Sequence, residues 1–307
     1  MDAHYCNLEH ETLLHITGPD SLKFLQGQTT CDTSEINETH ALLGAYCNPQ
    51  GRMVSDFLLC QLGSDHFAMR LRQDVIARTA ETFGKYIIFS KAELDAQNEE
   101  WLTIACWGSD IRQALTDIFP AVPETRLNTT MGENFVLVQI DEKGEQFECY
   151  LRKGAQAELE RILQIGAEAN WQALQIASGI GRIEASTIEE FIPQMLNYDI
   201  TGHVSFTKGC YTGQEVVARM HYRGKPKRRL YLASLAGETE AAAGTPLFSG
   251  EGGQSVGNIV NSAPAEGGKT LVLVVATQDG IAGGLKVAEA SGPTLELSNL
   301  PYTMDKP

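Results

Sequence analysis

The stretch FTKGCYTGQEVVARMHY, residues 206–222, decides how this chain is read. Thr212-Gly213-Gln214-Glu215 has the form of a capping box, with the Glu215 amide donating to the threonine hydroxyl and the glutamate reaching back to the Thr212 amide. A helix is therefore predicted to begin there. Cys210 would then occupy a Gly-flanked turn just before a helix N-terminus and two residues from Lys208, where the helix dipole and the ammonium both favour a thiolate. The same residues also suit a half-buried structural cysteine beside two glycines, Gly209 and Gly213, that serve only the backbone.

Outward from this motif the charge is uneven. Lys208, Arg219, Arg223, Lys225, Lys227, Arg228 and Arg229 stand against one acid, Glu215, so this stretch carries +6 in a chain whose net charge is −15. The overall charge works against general affinity for nucleic acid, whose first term is phosphate neutralisation. The basic island is either a solvated turn whose cations pair with acidic neighbours, or a surface that takes an anionic partner.

Before the motif the texture is mixed α and β. Gly18-Pro19-Asp20 punctuates the chain ahead of a short helix at Ser21–Leu25. Residues 41–47 and 53–62 flank Asn48-Pro49-Gln50-Gly51 and form a predicted hairpin, with a strand at 66–71 and a helix over 74–86. Strands follow at 101–107 and 134–140, and helices around 111–118, 155–166 and 170–178, the last ended by Gly179-Ile180-Gly181. The pattern predicts an α+β layer with helices on one face of an antiparallel sheet. Beyond Arg229, short strands at 230–235, 245–248, 255–260, 270–276, 284–288 and 294–297 alternate with Gly-rich turns, the signature of a small β-barrel or sandwich. The expected domains are 1–225 and 226–307.

With 307 residues, 43% of them hydrophobic, the chain can bury a substantial core. Its seven cysteines are scattered and never form C-x-x-C, which suggests neither a disulfide framework nor a zinc site. A reducing, cytoplasmic setting is expected, and no metal. The opening MDAHYCNLEHETLL lacks the basic stretch and apolar core of a signal peptide. The apolar run Leu271–Ala276 is far short of the roughly 20 residues that a spanning helix needs.

KGCYTGQE followed by VAR and RGKPKRR resembles the signature of the YgfZ family, relatives of the glycine-cleavage T-protein. The resemblance extends to Phe191-Ile-Pro-Gln-Met-Leu-Asn197, to Ile183-Glu184, to ITGPDSLKFLQGQTTCD (16–32) and to NPQGRMVSDFLL (48–59). Residues 93–169 are its least distinctive part. It implies the T-protein folate-binding fold: two α+β units, one ferredoxin-like, and a C-terminal antiparallel β-barrel. It also implies tetrahydrofolate as ligand and a part in maintaining iron–sulfur enzymes, one of which modifies tRNA. Those enzymes or their assembly proteins would be the partners, and Cys210 with Lys208 the reactive pair.

A reduced pterin offers a flat face and a row of ring N–H groups, so its site needs an aromatic or apolar slot and an acceptor. Trp171 and Glu184 can supply these, and both match positions that meet folate in the resembled proteins. A core tryptophan and a solvent-facing glutamate are the plainer readings. Arg219, Arg223 and Arg229 are candidates for the tail carboxylates. The T-protein has adjacent aspartates where this chain has Ser55-Asp56. One carboxylate without an evident His partner ranks aminomethyl or one-carbon transfer second, behind an accessory protein that is not a classical enzyme. A third possibility is a docking module in which the basic island binds tRNA or a partner protein and Cys210 is inert.

Overall fold

The computed structural model describes residues 1–237, 241–250, 253–265 and 267–304. From the N-terminus come β1 (His4–Asn7), β2 (Glu11–Thr17), α1 (Ser21–Gln28), β3 (Leu42–Cys47), β4 (Met53–Gly63), β5 (His66–Arg72) and α2 (Ile76–Ile87). They are followed by β6 (Glu93–Asp95), β7 (Trp101–Trp107), α3 (Ile111–Thr116), β8 (Thr129–Gly132), β9 (Phe135–Gln139), β10 (Gln146–Arg152), α4 (Ala157–Ile162), β11 (Gln164–Ile165) and α5 (Glu168–Ala177). The last part holds α6 (Gln214–Arg223), β12 (Arg228–Ala236), β13 (Pro246–Ser249), β14 (Gly257–Ala265), β15 (Lys269–Thr277), α7 (Gln278–Ala282), β16 (Leu285–Val287) and β17 (Glu296–Ser298).

Two compact units divide the chain. One comprises Met1–Gly44, Asp56–Glu168 and Thr207–Tyr211; the other comprises Ala45–Ser55, Ala169–Phe206 and Thr212–Pro307. The first unit contains the sheet β11-β1-β7-β10-β9-β8 and most of a second, β3-β4-β5-β2-β6. Period-two alternation assigns its cores. Phe147, Cys149 and Leu151 of β10 join Ile104, Leu137 and the apolar residues of α3 and α4 in one cluster. Tyr150 of the same strand faces the other way, with Trp101, Val136 and Val138, onto Leu13, Leu58, Cys60 and Ala68 of the second sheet. Helices thus cover one face of the first sheet and strands the other, so this sheet is buried on both sides.

That inter-sheet layer also holds a charged group. Arg70 on β5 donates to both Glu148 oxygens, at 2.9 and 2.8 Å, and Tyr150 donates to the same carboxylate at 2.6 Å. Glu11 stands 3.6 Å from Arg70. Burial pulls the guanidinium pKa down, but Glu148 and Glu11 more than reverse this, as a fully paired buried cation requires.

Three local expectations change. Two strands, β1 and β2, precede the first helix, where the sequence suggested a helix first. β2 lies between β5 and β6 with its middle residues buried, and an inner strand loses the alternation that would have flagged it. The helix expected over 155–166 ends at Ile162, because Leu163 turns extended (φ −93°, ψ 153°) and Gln164–Ile165 pair in parallel with β1. β10 was not anticipated.

In the second unit β12–β17 form one antiparallel sheet, ordered β16-β13-β14-β15-β12-β17, curled as a half-barrel. Its core is Leu235, Leu247, Ile259, Val272, Val274 and Leu285 with their neighbours. A register shift between Ile259 and Asn261 is the kind of bulge that bends a strand. No helix among the described residues is long and apolar enough to cross a membrane.

Candidate functional site

Helix α6 begins at Gln214, with Gly213 as its N-cap at φ 83°, ψ −1°. The cap predicted at Thr212 is thereby displaced by one residue. The cap position is also close-packed: a Cβ on Gly213 would lie 2.5 Å from the Asn48 carbonyl oxygen and 3.1 Å from Cys47 Cβ. Only glycine fits this left-handed, close-packed position. Gly51, at φ 73°, has no more room, since its Cβ would meet Val216 at 2.8 Å. The Asn48–Gly51 turn, tied by Asn48 Oδ1 accepting from the Gln50 and Arg52 amides at 3.0 Å each, therefore packs against the first turn of α6.

In the first unit, Lys208 is buried and its Nζ donates to three carbonyls, Gln26 at 2.8 Å, Thr29 at 2.7 Å and Cys31 at 2.6 Å. An ammonium has three protons. The group that the sequence sets beside the Cys210 thiol thus directs all of them at the C-terminal end of α1 and the residues after it instead. Burial pulls its pKa down to about 8, against the opposing influence of Cys31 and Asp32. The Tyr211 ring lies 5.2 Å from Nζ.

Cys210 is exposed, and the other six cysteines are buried. Burial pushes the Cys6 and Cys47 thiols up to about 12 and raises those of Cys31, Cys60, Cys106 and Cys149 as well. A thiol that is both protonated and covered does not react. In a titration with a chromogenic disulfide reagent near pH 8, we expect one fast thiol in the native protein, seven in denaturant, and no fast thiol in Cys210→Ala. A second fast thiol would contradict this burial pattern.

The remaining candidates lie in the second unit. Trp171, on α5, is 3% exposed. Glu184 is half-buried and caps the 3-10 turn Ala185–Thr187 through a reciprocal capping box, and its Oε1 accepts from Asn261 Nδ2 at 2.7 Å. The solvent-facing alternative for this glutamate is thereby set aside. Arg229 is committed: it donates to both Asp199 oxygens at 2.6 and 3.0 Å and to the Gln194 carbonyl at 2.9 Å. Arg219 and Arg223 are exposed on α6. Asp56 is buried in β4 at 3% exposure.

Sequence reasoning passed over one further feature, a cleft of about 280 Å³ lined by Asn7, Glu9, Glu11, Thr12, Trp101 and Thr103 among others. Its residues come from β1, β2, β7 and the loops beside them, and no motif joins them. Among the described residues no three His, Cys, Asp or Glu side chains are grouped to hold a metal ion.

The fold has a recognisable class. Residues 2–140 match the GCVT N-terminal domain. The structure of the glycine cleavage system aminomethyltransferase T from Bartonella henselae matches with a TM-score of 0.74 over 98% of this chain and 86% of that one, at 16% identity. This is the aminomethyltransferase-type fold. Within it, the tRNA-modifying protein YgfZ of Cronobacter sakazakii is 34% identical over 98% of this chain and 93% of its own length. The YgfZ of Escherichia coli O7:K1 is also 34% identical, over 97% of this chain and 93% of its own. The chain belongs to the YgfZ family.

Proposed function

We propose that the protein is a folate-binding accessory factor that supports iron–sulfur enzymes and, through them, tRNA modification, acting in the cytoplasm with Cys210 as its reactive group. The observation that carries the folate part is Glu184. Asn261 and the capping box fix a half-buried carboxylate in one orientation, which is what a row of ring N–H donors needs from its acceptor. Trp171 is the proposed apolar wall for the ring. Cys210 supports the second part, being the exposed thiol in a chain that buries its other six. The relatives' name, tRNA-modifying protein, supports the link to tRNA.

Anaerobic titration with tetrahydrofolate, followed by tryptophan fluorescence, tests this. We expect saturable micromolar binding that Glu184→Gln weakens about 10- to 100-fold, the loss of one hydrogen bond to a charged group. Cys210→Ala should bind as the parent does, and Trp171→Phe should change the signal. A folded parent that does not bind would remove folate from the account. The aminomethyltransferase-type fold favours a second reading, tetrahydrofolate-dependent one-carbon transfer. Turnover of an aminomethyl donor that is lost in Asp56→Asn would put it first.

A further inference from the structure

Arg219, Arg223, Lys225, Lys227 and Arg228 make no ion pair among the described residues. Elsewhere in this acidic chain Lys85, Arg152, Arg161 and Lys269 do find carboxylates. Pairing with acidic neighbours therefore accounts for Arg229 and leaves the other five unexplained. Spacings of three and four residues place Arg219, Tyr222 and Arg223 on one side of α6, and all three are exposed.

Tyr222 is 67% exposed, yet its ring is held. It stands perpendicular to His221 at 4.8 Å and edge-on to Phe206 at 6.4 Å, and its hydroxyl donates to the Phe206 carbonyl at 3.4 Å. Behind it His221 stacks on Phe206 at 3.6 Å. Unpaired cations alone would suit any polyanion. A fixed, exposed aromatic face among them adds what an unstacked base requires and an acidic peptide does not.

We propose that the outer face of α6, with residues 225–228, docks a single-stranded loop of an RNA, Tyr222 stacking on a base while the five cations contact phosphates. The inference rests on the tRNA reading above, but its observations are independent of folate. Because the rest of the chain is acidic, attraction comes from this island alone and falls steeply with salt.

Fluorescence anisotropy with a labelled synthetic RNA stem–loop bearing a seven-nucleotide loop tests it. We expect binding at low salt that weakens about 130-fold between 50 and 200 mM salt if all five cations contact phosphates of the single strand. Tyr222→Ala should weaken it about 10-fold, Tyr222→Phe should retain it, and the double variant Arg219→Glu, Arg223→Glu should abolish it. A fully paired RNA of the same length should bind with no dependence on Tyr222. Absence of binding at low salt overturns the proposal. So does a Tyr222→Ala variant with unchanged RNA affinity while poly-L-glutamate competes charge for charge, which would make the face a dock for an acidic protein. Tyr222→Ala and Tyr222→Phe should keep the parent's tetrahydrofolate titration, so failure here and failure of the folate reading are separable.

Discussion

Lys208→Met should lose about 3 kcal/mol of stability, read as a lower urea midpoint at unchanged slope. The methionine fills most of the volume but donates nothing, so the carbonyls of Gln26, Thr29 and Cys31 lose the ammonium that all three face. A buried acceptor left without its donor costs about 1–3 kcal/mol, and relief from burying a charge offsets part of the total. Lys208→Arg should not rescue it, since a planar guanidinium cannot aim three protons at one convergent set of oxygens. The rate of Cys210 alkylation at neutral pH discriminates between the two roles for the lysine. If the ammonium ties the motif to the C-terminal end of α1 and the residues after it, folded Lys208→Met is alkylated at the parent's rate. A variant of parental stability that is alkylated more slowly would return Lys208 to the place beside Cys210 that the sequence suggests.

The contrast shows where sequence reasoning stops. KGC puts a lysine two residues from a cysteine, and nothing local says that the side chain is directed at backbone some 180 residues earlier. The same limit hid Arg70 and Glu148, which are 78 positions apart. Each looks like an ordinary surface charge until β5 and β10 place them in one inter-sheet layer. Local signals fared better where they were strong. Asn48-Pro49-Gln50-Gly51 marked its hairpin, and the apolar period marked α2. The Gly-spaced short strands after Arg229 marked the C-terminal sheet. The capping box at Thr212 misled by one residue, and the contact that demands glycine at 213 comes from the distant turn at Asn48. The candidate site divides in the same way. Its residue types were legible in the motifs, whereas which cations are committed, as Arg229 is to Asp199, depends on packing.

Stability should fall above pH 9, by a few kcal/mol between pH 9 and 10. Six thiols are buried, and burial raises each above its ordinary value of 9.0, with Cys6 and Cys47 reaching about 12. Once the unfolded chain begins to ionise them, the native state holds more protons, so rising pH favours unfolding. At full ionisation each thiol contributes about 1.4 kcal/mol per pH unit. Lys208 acts in the opposite direction. Its folded value of about 8 lies below its ordinary 10.5, so between those limits the unfolded state holds the extra proton and rising pH stabilises the fold. One lysine cannot balance six thiols, and a loss of a few kcal/mol is a large fraction of the stability of an ordinary domain. Circular dichroism of the reduced protein should therefore show cooperative alkaline unfolding near pH 10. Cys106→Ala and Cys149→Ala should each lower the slope of stability against pH by about 1 kcal/mol per unit between pH 9 and 10, whatever they cost at neutral pH. Stability that stays flat through pH 10 would mean that these thiols ionise in the folded state, and with it the case for Cys210 as the one reactive cysteine would fall.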